Sequence, residues 1–200
     1  MQHQLWYICK RLTNPERVDA LRKVMLAHDP MTVSNIAESL RLKEPATSQY
    51  LSQLELDCGL VAPIREGRYV SYAPEADPDD PRCKILVRVF KEFFKAEAER
   101  LKLPLALPQP APAFVRAFPA LANEGRAKIC IHLRRHGKSS IAALMKLLGQ
   151  CDAGIRRHIG IIAKAGLCAW SNGICSWQEP DDPILIAFLS LMEKECAQPT

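Results

Sequence analysis

Residues 32–61 read TVSNIAESLRLKEPATSQYLSQLELDCGLV. Thr32 or its neighbour opens a short helix in which Val33, Ile36, Ala37 and Leu40 share one face. Arg41-Leu42-Lys43 is a brief turn. A second helix is expected over about 44–56, with Pro45 in its first turn, where a missing N–H breaks no hydrogen bond. Its apolar positions are sparse: Ala46, Tyr50, Leu51 and Leu54. Thr47, Ser48, Gln49, Ser52 and Gln53 make the rest small and polar. Upstream, Asn14 caps a helix whose first residue is Pro15, with Val18, Leu21, Val24 and Met25 at helical spacing. Downstream, Val61 to Ala73 is rich in Val, Ile and Tyr around Glu66-Gly67 and reads as a β-hairpin. Asp80 then caps a helix that starts at Pro81 and runs to about Leu103.

The same plan recurs. PDDP occurs at Pro78–Pro81 and at Pro180–Pro183, each time between a short aromatic stretch and an apolar run. Arg17 lines up with Arg126 and Gly59-Leu60 with Gly166-Leu167. In the second copy a helix begins near Glu124, and a short one carries Ile141, Leu144, Met145 and Leu148. Asp152 is read as the cap of a third helix over about 152–164, and Asn172-Gly173 as a hairpin turn. Several matches in one order favour a duplicated module. Between the copies, LPLALPQPAPAF at 103–114 holds four prolines and predicts an extended connector. The expected organisation is therefore 1–103, a linker over 104–113, and 114–200, mainly α with small β-hairpin wings.

Composition narrows the function. The chain has 200 residues, 48% hydrophobic and 24% charged, which is ordinary globular composition. No stretch approaches the roughly 20 apolar residues of a membrane span. The start lacks the pattern of an export signal, so a cytoplasmic protein is expected. The eight cysteines form no C-x-x-C pair and read as packing thiols. Cys168 and Cys175 lie on the two arms of the second hairpin, close enough in sequence to approach each other, and are read as packing thiols in preference to a redox switch. His132 and His136 stand at i and i+4 with no further ligand at a matching position, so no metal and no cofactor is expected. No phosphate-binding loop and no nucleophile–base set is present, which argues against an enzyme.

Helix, short helix, polar third helix and hairpin together are a winged helix-turn-helix, here two in tandem. Asn14-Pro15-Glu16-Arg17, the segment 32–61 and the wing REGRYVSY (65–72) resemble ArsR-type transcriptional regulators over about residues 5–95. The second copy, about 114–195, is similar but weaker. One departure is Glu55-Leu56-Asp57-Cys58, one residue longer than the family pattern before the Gly-Leu pair. The resemblance implies dimerisation through the first and last helices of a module. It also implies a third helix in the major groove, with the wing near the backbone or minor groove. Many relatives sense metals through paired cysteines on the short helix. The corresponding positions here are Thr32 and Ser34, then Ser140 and Ala142, and none supplies a thiolate.

Within that frame the candidate DNA contacts are Thr47, Ser48, Gln49, Tyr50 and Gln53 on the polar helix, with Arg65 and Arg68 at the wing. Short donors and acceptors read base edges, and wing cations meet phosphate or a narrow minor groove. In the second copy the aligned residues are Arg156, Arg157 and His158. From Arg116 to Trp177 there are ten Lys/Arg and two acids, a concentrated positive charge. Helices at about 82–103 and 184–197 have wide apolar faces that suit a homodimer or an intramolecular pseudo-dimer. The expected function is sequence-specific binding of double-stranded DNA by a transcriptional regulator, most simply a repressor. The alternative is a winged-helix protein–protein interaction scaffold.

Overall fold

A computed structural model describes residues 4–101 and 111–197 of the chain. Two compact units emerge, one from Asn14–Pro112 and one from Leu5–Thr13 together with Ala113–Thr200. The connector expected over 104–113 lies mostly outside the described residues.

In the first unit, α2 (Pro15–Leu26) begins where Asn14 Oδ1 accepts the Arg17 N–H at 2.9 Å. β1 (Met31–Thr32) leads into α3 (Val33–Leu40), which Thr32 caps by accepting the Asn35 N–H at 3.2 Å. Arg41, in the left-handed region at φ 56°, ends α3 and turns the chain into α4 (Glu44–Leu56). β2 (Ala62–Glu66) and β3 (Tyr69–Ala73) form the hairpin, and β1 adds a third strand in the order β1-β3-β2. The sequence did not anticipate β1; two residues carry no period, and pairing of Met31 with Tyr72 makes the strand. Asp80 Oδ1 accepts the Arg82 N–H at 3.0 Å and starts α5 (Pro81–Leu101), which buries Leu86, Phe90 and Phe94.

The second unit contains α7 (Glu124–His136), β4 (Lys138–Ser140), α8 (Ile141–Leu148), α9 (Asp152–Lys164), β5 (Cys168–Ser171), β6 (Ile174–Trp177) and α10 (Pro183–Ala197). Element for element this is the order of the first unit from α2 to α5, and its sheet order, β4-β6-β5, matches as well. Asn172 and Gly173, both at positive φ, make the hairpin turn, the pattern of a type I′ connection. Two further helices belong to this unit: α1 (Leu5–Arg11) and α6 (Ala113–Leu121). The sequence placed residues 1–103 in one module, whereas Leu5–Thr13 goes with the second unit. There α1 buries Leu5, Ile8 and Cys9 against α6 and α10. The apolar surface that draws it in includes Phe114 and Phe118, the latter edge-on to Phe188 at 5.1 Å. Another correction concerns Asp152. Cys151 is the N-cap of α9 and makes no side-chain cap bond, and Asp152 is the first helical residue.

All eight cysteines are free thiols, six of them buried. Burial pushes Cys83 up to about 12 and raises Cys130 strongly. Cys175 is raised chiefly by its hydrogen bond with Cys168; the same bond lowers Cys168, which burial keeps from solvent. A thiolate-selective reagent is therefore expected to modify only the exposed Cys151 and Cys196 in the folded protein and all eight in denaturant; fast native labelling of Cys168 or Cys175 would contradict this packing.

A buried ion pair ties α2 to α5. Arg22, 4% exposed, donates to Glu97 at 3.2 Å and to Asp19 at 2.6 Å, with its guanidinium 5.3 Å from the Phe94 ring centre. Burial raises Asp19 despite the attraction of Arg22. Glu97→Ala is expected to cost about 3 kcal/mol in urea unfolding, the low end for breaking a buried pair because Asp19 remains beside Arg22. Exchanging Arg22 and Glu97 together for leucines is expected to cost less than the single change; equal or additive losses would contradict an uncompensated charge as the cause.

Candidate nucleic-acid interface

In the first unit α4 is held by an inner row, Thr47, Leu51 and Leu54, each fully buried. Fixing that row turns Glu44, Pro45, Ser48 and Gln49 outward, all exposed, with Ser52 and Gln53 half-buried at the margin. The polar face is therefore real, but one of its expected members is not on it. Thr47 is sealed inside, and its hydroxyl donates to the Lys43 carbonyl at 3.2 Å, one turn back. A hydroxyl that bonds its own helix can occupy a core position at little cost, which a residue-type reading cannot foresee.

Tyr50, read from the sequence both as an apolar position and as a contact residue, is half-buried. Its hydroxyl donates to Glu16 Oε2, and the Arg17 guanidinium lies 5.4 Å from its ring centre. The hydrogen bond to Glu16 raises its pKa, with burial adding to the effect. Tyr50 thus locks α4 to the first turn of α2. Gln53 turns Oε1 inward, where it has no hydrogen-bond partner among the described residues. What α4 offers to a ligand is Ser48 and Gln49, with Gln53 beside them.

The wing is exposed from Arg65 through Tyr69. Arg65 pairs with Val70 and Glu66 with Tyr69, so the loop is Gly67-Arg68, one residue beyond the Glu66-Gly67 tip expected from sequence. Gly67 has φ 61° and Arg68 does not share the positive φ, the type II′ pattern that favours glycine first. Arg65 and Arg68 both reach solvent. Tyr69, 71% exposed, stands next to them and was not singled out from the sequence. Its signal was strand alternation: Tyr72 is buried, so Tyr69 faces the other way.

In the second unit Ile155, Ile159 and Ile162 are the inner row of α9, and Arg156 and Arg157 are exposed. Arg156 is not a loose cation. Its Nε bonds Asp152 Oδ1, its Nη2 donates to Asp152 Oδ2 at 3.1 Å, and its Cζ lies 5.8 Å from the Trp170 ring centre. The hydrogen bond to Asp152 raises its pKa further. His158 is half-buried, with Nε2 3.1 Å from Gln150 Oε1, so it braces the turn before α9. Burial lowers its pKa, and Arg126 and Arg157 lower it further. It also lies beside Gly125 at the start of α7, as Tyr50 lies beside the start of α2. The tip of this wing, Ser171 to Ile174, is exposed and uncharged.

His132 and His136 have ring centres 4.5 Å apart, and His132 Nε2 is 3.2 Å from Ser139 Oγ. Among the described residues no group of three or more His, Cys, Asp or Glu is placed to hold a metal ion, and no helix is long and apolar enough to cross a membrane.

Comparison with known proteins places one part of the chain. No curated protein and no solved structure matches it. Residues 14–62 match the model of the family described as bacterial regulatory protein, arsR family. The match runs from the Asn14 cap through α4 to the first residue of β2, and so covers every helix that positions Ser48 and Gln49. Residues 14–62 are thus similar to the helix-turn-helix of that family, a likeness that supports a DNA-binding transcription regulator.

Proposed function

We propose that the chain is a sequence-specific regulator of transcription that binds double-stranded DNA through two tandem winged helices, α4 and α9 being the recognition helices. The observation that carries this reading is the outward face of α4. Ser48 and Gln49 are exposed on a helix whose inner row is fixed, within the segment that matches the family, and the wing carries Arg65 and Arg68. A glutamine amide matches the N6 and N7 of adenine, and a serine hydroxyl serves either a base or a phosphate. Wing arginines neutralise phosphates or enter a narrow minor groove. The shared element order and sheet order of the two units support a duplication, with α2 to α5 and α7 to α10 as its halves.

In this reading the protein acts in the cytoplasm as a repressor that excludes polymerase from its site. Two winged helices pair through the apolar faces of α5 and α10, within one chain or between two. Such pairing sets recognition helices about 34 Å apart, one turn of duplex. The interaction-scaffold alternative predicts no duplex binding at low salt.

Anisotropy titration of a duplex selected from a random pool, beside a random duplex, tests the proposal. Ser48→Ala with Gln49→Ala is expected to weaken the selected duplex by about 1–3 kcal/mol and the random one far less. Arg156→Ala with Arg157→Ala is expected to reduce the slope of log K against log salt by up to about 2. Equal weakening of both duplexes by the first pair, or an unchanged slope with the second, would contradict the respective contacts.

A further inference from the structure

Arg156 is 56% exposed yet held from two directions, an unusual state for a long surface cation. In the plane of the guanidinium, the Asp152 carboxylate takes Nε and one N–H of Nη2. The indole of Trp170, which comes from β5, has its ring centre 5.8 Å from the Arg156 Cζ. The two restraints arise from different elements, the first turn of α9 and the wing. They leave the Nη1–Nη2 edge uncommitted among the described residues. That edge presents two parallel N–H donors in fixed orientation, the complement of guanine O6 and N7 in the major groove.

The local charge points the same way. Asp152 offsets the charge of Arg156, so the pair exerts little long-range pull on a phosphate, and a carboxylate beside a phosphate is repelled. Next to a base edge the same carboxylate is harmless to the contact and keeps the donors aimed. Arg157, exposed and with no carboxylate partner among the described residues, supplies the phosphate contact instead.

We infer that Arg156 reads a guanine in the bound duplex, with Asp152 and Trp170 as positioning residues that fix its guanidinium for that base. The inference rests on the reading that α9 enters the duplex. It chooses a guanine contact over a phosphate contact for Arg156 and adds two residues, Asp152 and Trp170, that residue type alone does not link to DNA.

The test is selection of bound sites from a random duplex pool by the full chain and by Arg156→Lys, Asp152→Asn, Asp152→Glu and Trp170→Ala. Affinities for one selected duplex and one random duplex are measured beside it, and thermal melting of each variant checks folding. The full chain is expected to show a guanine-dominated position. Arg156→Lys, Asp152→Asn and Trp170→Ala are expected to lose that preference by about 5- to 100-fold, with the other positions unchanged. Asp152→Glu is expected to restore it, and Asp152→Asn to leave random-duplex affinity unchanged or higher. A merely structural Asp152 would move the melting temperature and leave base preference alone. Asp152→Asn binding every sequence more tightly with an unaltered preference would overturn the inference, because Asp152 would then only screen a phosphate contact. A guanine position that survives Arg156→Lys would overturn it as well. Failure of the unaltered chain to bind any duplex at low salt would instead remove the DNA-binding reading beneath it.

Discussion

Thr47, Leu51 and Leu54 are fully buried, and a helix with three inner positions fixed has no freedom left in what it shows outward. This constraint governs the first unit. It turns Ser48 and Gln49 to solvent, sets Tyr50 against Glu16 and Arg17, and leaves Gln53 at the margin. The inner row is held in turn by α2 and α3, whose starts are fixed by Asn14 and Thr32. Rotating α4 by one position would bury Ser48 and expose Leu51, trading apolar burial for an unsatisfied hydroxyl. The candidate reading surface is therefore a consequence of core packing.

The second unit repeats the frame with different chemistry. Isoleucines replace the mixed inner row, and arginines stand where the first unit has serine and glutamine. The side chain after them bends back in both units, Tyr50 to Glu16 and His158 to Gln150. The wings differ most. One shows Arg65 and Arg68, and the other an uncharged turn with Trp170 serving Arg156. The two units thus share the α–β–α–α–β–β–α order while their outward residues differ, as expected when burial constrains the inside and leaves the surface free.

Much of this was legible in the residues. Asn14, Thr32 and Asp80 all accept backbone N–H groups at the helix starts read from them, because capping is local chemistry. Asn172-Gly173 made its turn for the same reason. The strands β1 and β4 were not legible, since so few residues show no alternation and sheet pairing alone defines them. The membership of α1 was hidden because Leu5, Ile8 and Leu12 announce a buried face without naming what covers it. In the candidate site, residue type misled at Thr47, whose hydroxyl bonds its own helix. Nor does residue type show that the Tyr50 hydroxyl bonds Glu16 or that His158 Nε2 lies against Gln150. Asp152 was read as a cap, whereas its carboxylate is spent on Arg156 four residues on.

Hydroxyl-radical footprinting of the full chain, free and bound to a duplex selected from a random pool, tests the central claim most directly. The account predicts protection of Pro45, Tyr50 and Gln53 on α4 and of Tyr69 at the wing, with buried Leu51 and Leu54 silent in both states. Unchanged oxidation of α4 and the wing at saturating duplex would show that this face meets no DNA and would contradict the account.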